Sequence, residues 1–212
     1  MTAADAGPIR AIAFDWGGIF TEGTFDSDAI INLAALCEVS EERIAEHYFP
    51  LMAELETGAF DVDDFVARFQ TESGISFEPE RFRSTFLASG RERPAMYRLL
   101  AAIPAGYSVA VLSNNVPLLC DRVRDDERMK RVDTFLFSNE LGVRKPDPAA
   151  YAALAEALGL PPREIVFIDD SADNIRACRD LGFNGIHLRG FSAFLAEFAQ
   201  VAPDVPLADV HG

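Results

Sequence analysis

The hydrophobic positions of the chain fall into short runs that are apolar at consecutive positions, separated by longer segments with helical spacing. The strong runs are residues 9–14, 107–112, 134–137 and 164–168, and a weaker one is 185–188. Runs that do not alternate predict strands covered on both faces, as in a parallel sheet. Because strand and helix patterns alternate, we predict an α/β fold with a central parallel sheet.

Two of the intervening segments carry clear signals for the start and the end of a helix. One has Asp147 as its N-cap and Pro148 in its first turn, and Gly159 ends it. The other begins at Ser171 and ends at Gly182. Both segments predict helices that connect parallel strands.

Residues 23–91 interrupt this alternation. They contain four segments with helical spacing and no convincing strand, and they directly follow the first strand and its loop. We therefore predict a core of residues 1–22 and 92–204, with a small all-helical unit of residues 23–91 inserted into it. Residues 205–212 are weakly patterned and contain proline, so we expect a frayed tail.

Composition narrows the kinds of partner. The chain has 212 residues, of which 49% are hydrophobic, and its 19 Lys and Arg against 34 Asp and Glu give a formal net charge of −15. Nucleic acids and anionic membranes require a basic footprint, so we expect neither as a partner. Because the protein is acidic overall, an anionic ligand would have to be bound by a local positive group, such as a metal, a helix N-terminus or one well-placed lysine.

Three observations favour a cytoplasmic protein. Cys37, Cys120 and Cys178 are few, far apart and odd in number, which is typical of free thiols. The first ten residues lack the basic and apolar pattern of a signal peptide. No apolar run approaches the ~20 residues that cross a bilayer.

Polar side chains follow each of the four strong runs. They are Asp15 after the first run, Ser113 and Asn114 after the second, Arg144 and Lys145 after the third, and Asp169 and Asp170 after the fourth. Ligands of open parallel sheets bind beyond the carboxyl ends of the strands. Each motif alone is compatible with a cap, a turn or a solvated charge. Their order at successive strand ends predicts one shared site.

This set of groups suits phosphoryl transfer. Asp15 would attack phosphorus as a carboxylate nucleophile and become an aspartyl-phosphate. The hydroxyl of Ser113 and the backbone N–H groups after it, including that of Asn114, would hold phosphate oxygens. Lys145 would balance charge between Asp15 and the phosphate.

The same hypothesis requires a metal. Asp169 and Asp170 would complete a site of oxygen ligands for Mg²⁺, an ion that keeps several waters and needs few carboxylates. Three acids clustered around a dianionic substrate would be prohibitive without such a cation.

Four stretches of the chain, FDWGG, LSNN, RKPDPAAY and FIDDSADNIRACRDLG, resemble the four motifs of the haloacid dehalogenase superfamily. The helical insertion resembles the type I cap of its subfamily IA. The resemblance covers nearly the whole chain and is greatest to sugar-phosphate phosphatases of the glucose-1-phosphate type, whose first motif is FDxGG or FDxGN. Bifunctional epoxide hydrolases, through their phosphatase domain, are more distant.

The resemblance implies a Rossmann-like three-layer core, Mg²⁺ as the cofactor and a small phosphorylated metabolite as the substrate. By position, Asp15 is then the nucleophile, Ser113 the phosphate ligand and Lys145 the charge-balancing lysine. Asp170, together with the adjacent Asp169, would then bind the metal. The stretch LETGAFDVDDF also resembles these relatives, in which it belongs to a helix pair rather than to the chemistry.

Position 17 departs from the family pattern. Most phosphatases of the superfamily have DxD, in which the second Asp is the general acid and base, whereas this chain has Gly17. The backbone carbonyl of Gly17 still offers the metal ligand that this position supplies in the family. The missing acid is worth ~10²–10⁴-fold in rate, so substrates with good leaving groups should suffer least. Glu22 is either a substitute acid or a solvated loop carboxylate.

Several neighbouring residues can be interpreted in two ways. Trp16 either packs beside the loop or lines the substrate entrance, and Arg144 either pairs with the acids or has a structural role. Asp173 and Asn174 are interpreted as caps that could also support a metal ligand. The spacing of His47, His187 and His211 does not indicate a metal site.

Three other functions compete with a phosphatase. A metal-independent 2-haloacid dehalogenase shares the nucleophile, but two further acids without a cation would repel its carboxylate substrate. A non-catalytic binding protein is favoured only by Gly17. A phosphomutase must reprotonate sugar hydroxyls repeatedly, and the residue for that step is absent.

Overall fold

The structure is a computed structural model and describes residues 8–23 and 25–210. Its strands are β1 (Ala11–Phe14), β2 (Thr21–Glu22), β3 (Arg91–Glu92), β4 (Ser108–Ser113), β5 (Thr134–Phe137), β6 (Ile165–Asp169) and β7 (Asn184–His187). Five of them form one sheet in the order β5-β4-β1-β6-β7, and all neighbours in it are parallel. The prediction of an α/β fold with a central parallel sheet is confirmed.

Helices connect and cover these strands. They are α1 (Phe25–Cys37), α2 (Glu41–Leu55), α3 (Val62–Ser73), α4 (Pro79–Leu87), α5 (Pro94–Ala102), α6 (Pro117–Arg124), α7 (Ser138–Leu141), α8 (Pro148–Leu158), α9 (Ala172–Asp180) and α10 (Phe191–Val201), with 3₁₀ turns at Glu127–Met129 and Pro162–Glu164. The carboxylate of Asp147 and the hydroxyl of Ser171 cap α8 and α9 as predicted. Within the described ranges, no helix combines the length and the apolar character needed to cross a bilayer.

The central strand β1 shows why its sequence does not alternate. Ile12 and Phe14 face the same hydrophobic cluster as residues of α5 and α10, whereas Ala11 and Ala13 face the cluster formed with α8 and α9. All four side chains are fully buried. A strand with helices on both faces has no position for a polar residue, so the first polar residue comes where the strand ends.

Helices α1 to α4 follow one another between β2 and β3, and phenylalanine side chains fill the space among them. Phe65 stacks on Phe69, and Phe82 stacks on Phe86. The prediction of no strand in 23–91 is wrong by one residue, because Arg91 belongs to β3, which pairs antiparallel with β2. Two-residue strands are too short to carry a hydrophobic period, so the sequence pattern does not show them.

The end of the chain differs from the expected frayed tail. Val205 and Val210 are almost fully buried and belong to the hydrophobic cluster on the α5 and α10 side of the sheet. Two isolated valines hold this segment against the core. Two apolar positions are too few to form the pattern of a helix or a strand, so the sequence does not indicate this contact. The prediction for 205–212 is therefore wrong for residues 205–210, and residues 211–212 lie outside the described residues.

Candidate active site

The loop after β1 fixes the first acid. The backbone N–H of Asp15 donates to the carbonyl of Ile168 on β6, at 2.8 Å, which extends the sheet by one residue. Its carboxylate Oδ1 accepts from the backbone N–H of Trp16 at 2.7 Å. The side chain of Asp15 is 13% exposed, so one part of the carboxylate faces a pocket while the rest is held by the backbone.

Lys145 joins this acid to the end of β6. Its Nζ lies 3.0 Å from Asp15 Oδ1 and 2.7 Å from Asp169 Oδ2, and its side chain is 1% exposed. Burial alone would lower the pKa of Lys145, but the two carboxylates outweigh it and raise that pKa, so the ammonium stays charged. A permanent positive charge therefore lies against the candidate nucleophile.

Asn114 holds the backbone of Lys145. Its Nδ2 donates to the Lys145 carbonyl at 2.9 Å, and its Oδ1 accepts from the Lys145 N–H at 2.8 Å. Through these two bonds the side chain of Asn114 positions the backbone of the lysine. The phosphate contact of the Asn114 backbone N–H stays a prediction.

The two acids of β6 and its loop have different surroundings. Asp169 is fully buried, and its carboxylate accepts from Lys145 Nζ, the backbone N–H of Ser171 at 2.8 Å and Nδ2 of Asn174 at 3.0 Å. Asp170 is half-buried and lines the pocket. Asp169 therefore orients the lysine, while Asp170 points its charge towards the ligand space.

Asp15, Asp169 and Asp170 each place a carboxylate oxygen within 4.8 Å of the others. Lys145 neutralises one of these three charges, which leaves an excess of negative charge in a buried space. Burial first, and then repulsion by Asp169, raises the pKa of Asp170. Oxygen donors with such an excess of negative charge fit a divalent cation such as Mg²⁺.

The pocket above these acids has a volume of about 150 Å³. One wall comes from the loops at the ends of the parallel strands, including Trp16, Asn115 and Arg144, and the opposite wall comes from α1, the end of α2 and α4. Trp16 is 6% exposed and packs against Phe25 of α1, so it both supports the loop and lines the pocket.

Two of the predicted site residues do not line this pocket. Ser113 is a buried residue that does not line the pocket, and its hydroxyl donates a long 3.4 Å hydrogen bond to the Asn114 carbonyl. Glu22 is an exposed residue of β2 that lies 3.9 Å from Arg91 and lines a separate hollow with Arg93 and Arg189. The structure therefore does not bring Glu22 to the acids, because Thr21 takes the inward position of that two-residue strand.

Three further residues line the pocket, of which Asn115 belongs to the LSNN motif and the other two were not recognised in the sequence analysis. Asn115 has a buried Nδ2 with no hydrogen-bond partner among the described residues, while its Oδ1 accepts from the Val116 N–H. Asp26 of α1 accepts from the hydroxyl of Tyr48 at 2.7 Å. Glu56, at the end of α2, lies with Oε2 3.0 Å from Nη2 of Arg144. LETGAFDVDDF thus joins α2 and α3 as expected, but it also contributes Glu56 to the pocket.

The remaining predicted residues have structural partners. Asp173 pairs with Arg176 at 2.8 Å on the surface, and Asn174 supports Asp169 rather than only a helix start. His47 packs edge-on against Phe69, and Nε2 of His187 lies 2.8 Å from the Asp170 carbonyl. His211 lies outside the described residues.

A parallel sheet with a carboxylate nucleophile candidate, a buried lysine and two further acids at its strand ends defines a hydrolase of the haloacid dehalogenase class. The model of the family described as haloacid dehalogenase-like hydrolase matches residues 9–182. The chain belongs to this family.

Some of the proteins that are similar to this chain are named as phosphatases. Phosphatase MT3486 of Mycobacterium tuberculosis is 32% identical over 178 residues, which are 82% of this chain and 70% of that protein. D-ribitol-5-phosphate phosphatase of Bacteroides thetaiotaomicron is 26% identical over 187 residues, 82% of this chain and 89% of that protein. In contrast, the chain spans only 24–37% of the length of the bifunctional epoxide hydrolases and the (S)-2-haloacid dehalogenase that it matches.

A solved structure agrees on the fold. The family enzyme bt-2542 of Bacteroides thetaiotaomicron, in complex with magnesium and inorganic phosphate, superimposes with a TM-score of 0.74. It is 20% identical, and the match covers 84% of this chain and 93% of that one. The Rossmann-type arrangement of the sheet is therefore shared with this family.

Proposed function

We propose that this hydrolase cleaves phosphomonoesters of small metabolites, with sugar phosphates as the main class, through an aspartyl-phosphate on Asp15. The observation that carries the proposal is the contact of Asp15 with Lys145 at the floor of a pocket that also contains Asp170. A buried lysine beside a carboxylate lowers the repulsion between that carboxylate and an incoming phosphate dianion.

The reaction has two displacements at phosphorus. An oxygen of Asp15 forms a bond to phosphorus while the bond from phosphorus to the ester oxygen breaks, and the departing alkoxide takes a proton. A water then attacks phosphorus, the bond to Asp15 breaks, and inorganic phosphate leaves with Asp15 restored. Lys145 stays charged throughout and opposes the negative charge that both steps carry.

Asp15, Asp170 and the backbone carbonyl of Gly17 would hold Mg²⁺, and Asp169 would support the ion through its position beside them. When bound, Mg²⁺ supplies positive charge against the phosphate oxygens. Phosphate oxygens would also meet the backbone N–H of Asn114 and the unpartnered Nδ2 of Asn115. The predicted contact of the Ser113 hydroxyl stays part of this proposal, although it requires that hydroxyl to turn towards the pocket.

The substrate class follows from the shape and the relatives. A pocket of about 150 Å³, lined by acids and amides as well as by apolar side chains, favours a small phosphorylated molecule. A phosphatase that acts on a sugar-alcohol phosphate is 26% identical to the chain. We further propose that residues 23–91 form a cap whose movement admits substrate, and that the protein is cytoplasmic, in agreement with its three free cysteines.

The test is phosphate release from sugar phosphates, nucleotides and p-nitrophenyl phosphate, with Mg²⁺ and after chelation by EDTA. We expect Mg²⁺-dependent release for at least one sugar phosphate, and a mass increase of one phosphoryl group on acid-quenched protein. The Asp15→Asn variant should show neither. Protein that binds phosphate compounds without release or mass increase would indicate a non-catalytic relative.

The acid cluster argues against a 2-haloacid dehalogenase. Asp169 and Asp170 would repel a carboxylate substrate approaching Asp15 unless a cation lies between them. Halide release from 2-chloropropionate that persists in EDTA, without phosphate release from any ester, would overturn the proposal in favour of this alternative.

A further inference from the structure

The proposed reaction needs a proton at the departing oxygen, and Gly17 has no side chain to give it. The pocket offers few other acids. Asp15 and Asp170 carry the nucleophile and the metal in the proposal, and the carboxylate of Asp26 already accepts from Tyr48. Glu56 is the remaining carboxyl group that lines the pocket.

Glu56 has a carboxyl oxygen without a hydrogen bond. The residue is 7% exposed, and its Oε2 is buried with no hydrogen-bond partner among the described residues. Arg144 Nη2 lies 3.0 Å away and forms an ion pair with that oxygen, without a hydrogen bond to it. A buried polar atom left without a hydrogen bond destabilises the fold, so such atoms usually have a function or an absent partner.

The turn that carries Glu56 is held against the core. Gly58 has φ +71°, and a Cβ at this position would lie 2.6 Å from the carbonyl oxygen of Asn139 in α7. Only glycine combines this backbone conformation with such a close approach. The backbone N–H of Glu56 also donates to the Met52 carbonyl at 2.8 Å. Glu56 is therefore positioned by the backbone on both sides.

We propose that Glu56, supplied by the α2–α3 turn, is the general acid and base that replaces the missing second acid of the first motif. This inference rests on the proposed phosphatase function and names the residue that completes it. The protonated carboxyl gives its proton to the ester oxygen as the bond to phosphorus breaks. The resulting carboxylate then takes a proton from the water that attacks the aspartyl-phosphate, which restores both groups.

The electrostatic surroundings of Glu56 suit both halves of this cycle. The pKa of Glu56 is raised to about 7, because burial, together with repulsion from Asp26 and Asp15, outweighs the opposing charges of Arg144 and Lys145. A general acid that also acts as a base works best with a pKa near the operating pH. Arg144 can balance the carboxylate that exists between the two steps.

The test compares Glu56→Gln with wild type on esters of different leaving group. For an alkyl phosphate such as glucose 6-phosphate, we expect kcat/KM to fall ~10²–10⁴-fold, and for p-nitrophenyl phosphate less than about 10-fold. The second step lacks its base with either ester, so acid-quenched Glu56→Gln protein should accumulate the aspartyl-phosphate with p-nitrophenyl phosphate, whose first step stays fast. Glu56→Asp should keep part of the alkyl activity and the pH dependence near neutrality.

Glu54→Gln is the matched control, because Glu54 is an exposed residue of the same helix that pairs with Arg68. It should behave as wild type. Equal losses of Glu56→Gln on both esters without accumulation of the phospho-enzyme, or no loss, would overturn the role of Glu56 while the phosphatase stands. Wild-type protein that forms no phospho-enzyme and releases no phosphate would instead overturn the proposed function itself. Mg²⁺-dependent Trp16 fluorescence verifies that each variant is folded.

Discussion

Lys145 Nζ lies 2.7 Å from Asp169 Oδ2, and both side chains are shut off from solvent. A buried ion pair of this kind is costly to break by removing one partner, because the remaining charge has no water to solvate it. Here the pair does more than stabilise the fold, since it also directs the ammonium at Asp15. Stability and charge balance at the candidate nucleophile therefore depend on the same lysine.

Replacing this lysine should affect both properties. Lys145→Met leaves the buried Asp169 and the two carboxylates clustered with it without their counter-charge, so we expect a loss of about 3–5 kcal/mol in the free energy of unfolding near neutral pH. The loss should shrink at acidic pH, where the carboxylates are protonated, and with Mg²⁺ present. Urea unfolding at several pH values measures it, and phosphate release should be abolished.

Lys130→Met is the control for this experiment. Lys130 is exposed, and it lies in the turn after the 3₁₀ segment Glu127–Met129, away from the acids. Its replacement should change the free energy of unfolding by less than about 0.5 kcal/mol. A comparable loss in the two variants would contradict the electrostatic explanation.

Gly18 has a separate role beside the acids. It has φ +71°, and a Cβ on it would lie 2.0 Å from Asp170 Oδ2, so Gly18→Ala must displace that carboxylate. We expect the affinity for Mg²⁺, measured by Trp16 fluorescence, to fall about 10–100-fold. Gly159→Ala is the control, because Gly159 has a similar φ of +62° but no atom within 4 Å of its Cβ position. It should lose stability and keep its Mg²⁺ affinity.

The sequence predicted the sheet and the acids of the site for a clear physical reason. Strands covered on both faces are continuous apolar runs, so the residue that ends each run is recognisable, as with Asp15 and Asp169. What the sequence did not predict depends on contacts between distant segments. The close approach of Gly58 to Asn139 brings Glu56 to the pocket, and no local pattern around Glu56 indicates it.

Asn114 and Asn115 also show that a local sequence pattern does not determine which contacts a side chain makes. Both follow β4, and a motif assigns them together, but their side chains differ in role because one reaches Lys145 and the other does not. The burial of Val205 and Val210 likewise depends on the core that they meet rather than on their own segment.

The raised pKa of Glu56 predicts how the free energy of unfolding depends on pH. Burial raises this pKa from 4.5 to about 7, so the protonated form stabilises the folded state fully below about pH 4.5. That contribution is lost as the pH rises through about 7, because the folded protein must then hold a buried carboxylate. Glu56→Gln stays neutral, so it should gain about 1–3 kcal/mol relative to wild type between about pH 5 and pH 8.

Urea unfolding of the two proteins across this pH range measures the difference. Glu54→Gln should track wild type at every pH, since Glu54 is exposed. A pH-independent difference between Glu56→Gln and wild type would show that the carboxyl group of Glu56 titrates normally in the folded protein.

Gly17 allows the missing acid to be put back. A Cβ at this position meets no atom within 4 Å, and Gly17 lines the pocket, so Gly17→Asp should fit without moving its neighbours. In a Glu56→Gln background, the new carboxyl group supplies the proton that neither residue otherwise gives. We expect kcat/KM for glucose 6-phosphate to recover by at least about 10-fold. Gly17→Asn, which matches the shape but has no acidic proton, should give no recovery.

The two substitutions should not be additive, because each acid serves the same oxygen of the substrate. If Glu56 protonates the leaving group in wild type, Gly17→Asp should raise the rate there much less than it does in the Glu56→Gln background. The interaction free energy from the four proteins measures this redundancy. If Gly17→Asp changes the rate by the same factor in both backgrounds, the two carboxyl groups act on different steps, and the leaving-group proton has another source.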